Sequence, residues 1–99
     1  MNINKVQEGS ELTLIVDGRL DTTTAPQLEA VVKESVEGIT KLVFDFSNLS
    51  YISSAGLRVL LGAQKVMNKQ GSMEVAHPNA TLMDVFEVTG FVDILTIIE

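Results

Sequence analysis

The segment that most constrains the fold runs from Leu42 to Leu61, with the sequence LVFDFSNLSYISSAGLRVLL. Its first five residues are apolar apart from Asp45, its middle is polar, and helical character begins at or just after Ser53–Ser54. This order predicts a strand, a loop at Ser47–Tyr51 and a helix. Because the strand is apolar on both faces, we expect it in the middle of a parallel sheet that helices cover on both sides. Functional sites in such sheets lie at the carboxyl ends of the strands, which is where the two serines fall.

The residues before this segment predict an antiparallel hairpin at one edge of the sheet. Two short runs of β-forming residues, Ile3–Gln7 and Leu12–Val16, are separated by four residues typical of a turn. Asp17-Gly18 then allows a bulge, so the second strand can continue in bent form to Leu20. Asp21 would then lie near the carboxyl edge of the sheet.

A first helix is expected to begin at Thr24. Thr24 and Gln27 have the spacing of a capping box, in which the two side chains bond the free N–H groups at the start of a helix, and Pro26 is tolerated in the first turn. Apolar residues then recur at helical spacing until Gly38. The first helix should therefore pack one face on the sheet.

The second half of the chain predicts two more helices and two more strands. The second helix is apolar over a wide arc, so its first half is either buried or a docking surface, and it stops at Gly71. A strand at Met73–Ala76 follows. Asn79 is the expected cap of a third helix that ends at Gly90, and Leu95–Ile98 predicts a last strand.

Composition limits the class of protein. Ninety-nine residues provide for a single core, and the net charge of −6 does not suit a protein that binds nucleic acid. No apolar run approaches the ~20 residues that span a bilayer, the first ten residues lack the pattern of a signal peptide, and there is no cysteine. We therefore predict one cytoplasmic α/β domain over residues 1–99, with a mostly parallel sheet of about five strands, an antiparallel edge hairpin and three main helices. We expect no cofactor, no metal site and no binding to nucleic acid or membrane, and a monomer is the favoured state.

Ser54 has two interpretations that its neighbours leave open. Serine at the start of a helix commonly caps it, and Ser53 could do so equally well. Alternatively, Ser54 presents its hydroxyl where free N–H groups and the helix dipole favour negative charge. Arg58 lies four residues later on the same helical face, either as an ordinary solvated side chain or within reach of a phosphate on Ser54.

The small residues after the serines also have two interpretations. Ala55 and Gly56 leave the helix start open to a bulky partner, or Gly56 permits close packing of the helix on the sheet. Asp45 either accepts hydrogen bonds from the N–H groups of the loop at Ser47 or Asn48, or lines a polar site beside Ser54 together with Asp21.

The residues do not favour an enzyme. Ser54, His77 and Asp45 are the residue types of a hydrolase triad, but the sequence SSAGL lacks the glycine pattern of a nucleophile elbow. No phosphate-binding glycine loop or cluster of metal ligands is present, and a receiver domain would need an acidic pair that the chain lacks. We therefore predict a binding protein and keep the hydrolase only as an alternative to test.

The run DFSNLSYISSAGLRVLL resembles the signature of STAS-domain proteins of the bacterial anti-sigma factor antagonist type. The segment GRLD with Thr24-Ala25 and the segment VTGFVDI resemble flanking motifs of that family, so the similarity covers nearly the whole chain. The resemblance implies a regulator of transcription that, when unphosphorylated, binds an anti-sigma factor and thereby releases a sigma factor. It also implies that the anti-sigma factor is a serine kinase that phosphorylates Ser54, and that a PP2C-type phosphatase reverses the modification.

The resemblance also implies which residues form the site. Ser53 stands where the family commonly has aspartate, and it is the second choice of phosphate acceptor after Ser54. The expected partner surface comprises Asp21, Thr22, Thr23, Ser53, Ser54, Ala55, Gly56, Leu57, Arg58 and Leu61. The expected polar support for a phosphate comprises Asp21, Asp45 and Arg58. The alternative function is a STAS scaffold or subunit of a lipid-transport or stress-signalling complex that is not phosphorylated.

Overall fold

A computed structural model describes residues 1–98 as one mixed sheet of six strands with three α-helices. Glu99, the last residue of the predicted domain, lies outside the described residues. The elements in chain order are β1 (Asn2–Glu8), β2 (Glu11–Leu20), α1 (Ala25–Ser35), β3 (Lys41–Asp45), β4 (Leu49–Ile52), α2 (Ser54–Gln70), β5 (Ser72–Ala76), α3 (Ala80–Thr89), a 3₁₀ turn (Phe91–Asp93) and β6 (Ile97–Ile98).

The strands have the order β1-β2-β3-β5-β6, and β4 pairs with the end of β2. β1 and β2 form the antiparallel edge hairpin, and all other pairs are parallel. This confirms the predicted α/β fold class and the central position of β3. The last strand is shorter than predicted, because the Leu95 N–H donates to the Phe91 carbonyl oxygen (2.8 Å) and so belongs to the preceding turn.

The bend of β2 allows one strand to pair with two parallel neighbours. The first half of β2 pairs with β3, the register then shifts between Gly18 and Arg19, and the remainder pairs with β4. Gly18 has a φ of 105°, which is easily adopted only by glycine, so the predicted bulge is confirmed. The predicted loop at Ser47–Tyr51 is wrong in part: Leu49 and Ile52 are buried residues of β4, which forms because the bent end of β2 offers it a partner.

The core lies on one face of the sheet. Along β2 and β3 burial alternates: Leu12, Leu14, Leu42 and Phe44 are fully buried, whereas the residues between them are partly exposed. The expectation that helices cover both faces is therefore wrong. The sequence misled because apolar residues also occur on the open face of a sheet. Val43 is one of them, being only half-buried, and the sequence does not distinguish it from a fully buried valine.

The helix caps differ in how well the sequence indicated them. Asn79 caps α3 as predicted, because its side-chain oxygen accepts a hydrogen bond from the Leu82 N–H (2.8 Å). Thr24 precedes α1 but makes no capping bond, so the predicted capping box is wrong. The Thr24 hydroxyl instead donates to the Arg19 carbonyl oxygen and accepts from the Asp21 N–H, both at 2.8 Å. The Thr24 side chain therefore stabilises the connection between β2 and α1 and does not cap the helix.

Candidate functional site

The end of β2 and the start of α2 meet at one edge of the sheet. The Ser53 N–H donates a hydrogen bond to the Leu20 carbonyl oxygen (2.9 Å), and Ile52 is the register partner of Leu20 in the β2–β4 pair. The segments that the sequence singled out, Asp21–Thr23 and Ser53–Arg58, are therefore neighbours in the structure.

The amino terminus of α2 has no side-chain cap. Ser54 is the first helical residue and is exposed, whereas Ser53 occupies the N-cap position and its hydroxyl makes no capping bond. The first backbone bond of the helix runs from the Leu57 N–H to the Ser53 carbonyl oxygen (3.0 Å). The preceding N–H groups at the helix start have no helical acceptor, so this end favours an anion or a hydrogen-bonding partner. The interpretation of either serine as a capping side chain is thus not supported.

The two adjacent serines differ in access. The Ser53 hydroxyl oxygen is buried and has no hydrogen-bond partner among residues 1–98, whereas Ser54 is exposed to solvent. An approaching protein or nucleotide can therefore reach the Ser54 hydroxyl without moving the backbone. The buried Ser53 hydroxyl would first have to become exposed.

Asp21 organises the turn that faces this helix start. Its Oδ1 accepts hydrogen bonds from the Thr23 hydroxyl (2.7 Å), the Thr23 N–H (3.0 Å) and the Thr24 N–H (3.2 Å). The Thr23 hydroxyl is the main cause that lowers the pKa of Asp21 below its ordinary value, and the backbone N–H groups of both threonines act in the same direction. Asp21 is therefore a carboxylate that holds Thr23 in place on the surface.

A hollow of about 190 Å³ separates this turn from α2. Thr22 and Ala55 lie on its two sides, and Arg58 also lines it. Arg58 is exposed and forms no salt bridge with any acidic side chain among residues 1–98. The structure thus brings together Thr22, Ala55 and Arg58, three residues that the sequence assigned to the partner surface.

Asp45 and His77 do not join Ser54 in a catalytic arrangement. The Asp45 carboxylate accepts a hydrogen bond from the Ser47 N–H (3.0 Å), which is the first of the two interpretations that the sequence left open. His77 follows β5, where its N–H donates to the Ile98 carbonyl oxygen (2.8 Å). In the described part of the chain neither side chain is hydrogen-bonded to Ser54, so the hydrolase alternative has no geometric support.

Comparison with known proteins assigns the fold to a family. The family model described as STAS domain matches residues 2–99. The chain belongs to the STAS domain family. This confirms the resemblance that the central motif carries.

Relatives of this STAS domain are named as anti-sigma factor antagonists. BtrV of Bordetella bronchiseptica, provisionally named an anti-sigma factor antagonist, is 36% identical over 88 residues that cover 87% of this chain and 76% of that protein. An anti-sigma factor antagonist from Mycobacterium paratuberculosis superimposes with a TM-score of 0.89 at 21% identity, covering 98% of this chain and 84% of that one. The phosphorylated form of the Bacillus cell fate determinant SpoIIAA has a TM-score of 0.76 at 19% identity, covering 97% of this chain and 90% of that one. The two solved structures are similar to this chain in fold.

Two residues of the expected partner surface are buried in this STAS domain. A Cβ built on Gly56 would lie 2.7 Å from the Leu20 Cγ and 2.8 Å from the Ile52 Cγ1, so this glycine allows α2 to pack closely on the sheet. Leu57 is 6% exposed and belongs to the core. The structure therefore gives Gly56 and Leu57 packing positions rather than surface positions, while Leu61 remains partly exposed.

The structure adds two residues that the sequence analysis missed. The Arg19 guanidinium carbon lies 4.3 Å from the centroid of the Tyr51 ring, and the Arg19 Nε lies 3.8 Å from a carboxylate oxygen of Asp21. This cation–π contact forms because Arg19 and Tyr51 are register partners in the β2–β4 pair. From the sequence, this contact could have been anticipated only by predicting that the short run LSYI forms a strand beside β2.

Two structural features bear on metals and membranes. Residues 1–98 contain no group of three or more histidine or acidic side chains placed to hold a metal ion. A bilayer crossing needs a longer and more apolar helix than any found in the same part of the chain.

Proposed function

We propose that this STAS domain is an anti-sigma factor antagonist whose binding is controlled by phosphorylation of Ser54. In its unphosphorylated form it binds an anti-sigma factor through the surface formed by the β2–α1 turn and the start of α2, and the bound anti-sigma factor releases its sigma factor. The anti-sigma factor is itself the serine kinase that modifies Ser54. A PP2C-type phosphatase restores the binding form.

The observation that carries this proposal is the exposure of Ser54 at an uncapped helix start. The hydroxyl is accessible, and the N–H groups behind it have no helical acceptor. Ser53 is the weaker candidate, because its hydroxyl is buried. Further support comes from the names of the relatives and from SpoIIAA, a protein of the same fold that is known in a phosphorylated form.

Charge and bulk at Ser54 are sufficient for a switch. A phosphate adds about −1.5 to −2 charges at pH 7. In the free domain the helix dipole and the exposed Arg58 side chain stabilise that charge, so the fold tolerates it. At an interface the same group must lose water, which costs several kcal/mol unless the partner supplies a cation. Each 1.4 kcal/mol is about tenfold in affinity, so binding falls by orders of magnitude.

A phosphorylation assay with a binding measurement tests the proposal. The purified chain is incubated with ATP and a histidine-kinase-like ATPase encoded near its gene, and the modified residue is located by mass spectrometry. Ser54→Ala should abolish incorporation, while Ser53→Ala serves as the matched control and should retain it. Calorimetry should show tight binding of that kinase to the unmodified chain and to Ser54→Ala, and none to the phosphorylated chain.

Two outcomes would count against the proposal. Phosphate found only on Ser53 would move the acceptor, and equal affinity of the modified and unmodified chains would favour the scaffold that is not phosphorylated. A cytoplasmic location, a monomeric state and the lack of direct nucleic-acid binding stay predictions from the sequence.

A further inference from the structure

A second hollow lies between α1 and α2 and is largely apolar. It measures about 130 Å³, and its wall includes Val32 of α1, Val36 directly after α1, and Val59, Ala63 and Val66 of α2. Val66 is 40% exposed, so an apolar side chain stands at the mouth of this hollow rather than inside the core. We call it the helix groove.

Gly62 lies in the wall of the helix groove and has no packing reason to be glycine. A Cβ built on Gly62 meets no heavy atom within 4 Å, in contrast to the close contacts at Gly56. The residue lies inside α2, where glycine weakens a helix relative to any ordinary side chain. What glycine provides at this position is space on the surface. A large side chain here would lie at the wall of the helix groove.

The size of the helix groove selects its occupant. An apolar cavity of about 150 Å³ accommodates one benzene molecule. Sites for cofactors and similar small molecules measure about 300 to 1,000 Å³. At about 130 Å³ the helix groove therefore fits one large apolar side chain of a protein.

The charged residues around the helix groove indicate which partner group would lie beside that apolar side chain. Glu29 in the wall already pairs with Lys33 at 3.6 Å, whereas Arg58 has no acidic partner among residues 1–98. Arg58 lines both the helix groove and the hollow beside Ala55, and Glu29 and Val59 are shared as well. The helix groove therefore adjoins the hollow beside Ala55, the residue that follows Ser54. A partner that covers both hollows must bring a carboxylate to Arg58 or bury that charge unpaired.

We propose that the anti-sigma factor inserts one large apolar side chain into the helix groove over Gly62 and places an adjacent carboxylate on Arg58. In protein interfaces a few buried anchor residues carry most of the affinity. The inference rests on the proposed function, because it extends the surface at Ser54 along α2. It assigns to Gly62 the open position that the sequence suggested for Gly56.

Filling the helix groove tests the proposal. The probe is the purified anti-sigma kinase that phosphorylates Ser54, titrated by calorimetry into the unphosphorylated chain. Gly62→Leu should weaken binding at least tenfold. Ala30→Leu is the matched control, since Ala30 is exposed on α1, lines neither hollow and receives the same side chain, and its affinity should stay within twofold of wild type. Thermal melts should show that neither variant lowers the unfolding midpoint.

Two further variants keep the test decisive. Val66→Glu introduces a charge at the exposed mouth of the helix groove and should also reduce the affinity for the kinase at least tenfold. If Gly62→Leu is unstable, the result for Val66→Glu takes its place in the test. Arg58→Ala should reduce affinity about threefold to tenfold and should flatten its dependence on salt. Wild-type affinity of both Gly62→Leu and Val66→Glu would overturn the groove while leaving the proposed function intact, provided that Ser54→Asp still abolishes binding. If the wild-type chain binds no such kinase, both proposals fail.

Discussion

Gly56 of α2 packs against Leu20 at the end of β2 so closely that a Cβ on the glycine would lie 2.7 Å from the Leu20 Cγ. Real Cβ atoms do not approach other carbons at this distance, so a side chain at this position would force Leu20 and Ile52, or the helix start itself, to shift. The absence of a side chain at Gly56 thus allows the start of α2, where Ser54 lies, to pack closely on the end of β2. Glycine here also carries a cost, because it has a lower helix propensity than alanine.

Replacing glycine by alanine should have opposite effects at the two helical glycines of α2. Gly56→Ala should destabilise the domain by about 1–3 kcal/mol, because the fully buried Leu20 and the nearby Ile52 must shift in a packed core. Gly62→Ala should stabilise it by up to about 1 kcal/mol, because its Cβ meets no neighbour. Urea unfolding of the two variants beside wild type measures both, and a gain in stability for Gly56→Ala would contradict the packing argument.

Gly71 should tolerate alanine even less well. A Cβ on Gly71 would overlap the carbonyl oxygen of Thr40, and the next residue, Ser72, donates its N–H to that same oxygen at 2.9 Å. Relief of the clash would require backbone movement at the start of β3, so we expect a loss of about 2 kcal/mol or more in the free energy of unfolding. Equilibrium unfolding of Gly71→Ala, with Gly62→Ala as the control, measures this loss. Equal stability of the two variants would contradict the expected clash.

The hydrogen bonds to Asp21 should make stability depend on pH in the acid range. Because the folded state lowers the pKa of Asp21, the carboxylate contributes stability above its unfolded pKa of about 3.9, and this contribution is lost as pH falls through the folded pKa. The difference in unfolding free energy between wild type and Asp21→Asn should thus be largest above about pH 4 and shrink towards pH 2. Chemical unfolding at several pH values measures it. A difference that does not change with pH would show that Asp21 acts only by shape.

Asn79 should contribute in two separable ways. Its oxygen accepts from the Leu82 N–H (2.8 Å), and its amide nitrogen donates to the Leu49 carbonyl oxygen of β4 (3.1 Å). Asn79→Ala should cost about 0.5–2 kcal/mol for the lost cap plus the unpaired carbonyl. Asn79→Asp keeps the capping oxygen but not the donor, so it should cost less than alanine. Thermal unfolding of both variants measures the two losses of stability. Equal losses for alanine and aspartate would mean that the cap contributes nothing.

Phosphate on Ser54 should leave the free domain folded. The group lies on the surface at the amino terminus of α2, where the dipole favours it. Circular dichroism and thermal melts of the phosphorylated and unmodified chains should therefore nearly coincide. A large drop in the unfolding midpoint on phosphorylation would mean that loss of binding reflects unfolding rather than charge at the interface.

Local patterns in the sequence determined most of the elements. The alternation of strands and helices, the edge hairpin and the helix at Ser54 follow from residue periodicity and turn residues, which act over a few neighbours and are visible without a fold. The cap at Asn79 and the bulge at Gly18 belong to the same class. The central motif by itself also indicated the STAS family.

Contacts between distant residues were decided only by the tertiary structure. β4 exists because the bent end of β2 pairs with it, and that pairing alone brings Arg19 onto the ring of Tyr51. The roles of Gly56 and Gly62 could not be separated in sequence, since both are glycines of one helix. The difference is what lies opposite each of them: the side chains of Leu20 and Ile52 in one case and open space in the other. The same holds for Ser53 and Ser54, whose different access depends on the side of the helix start that faces the core.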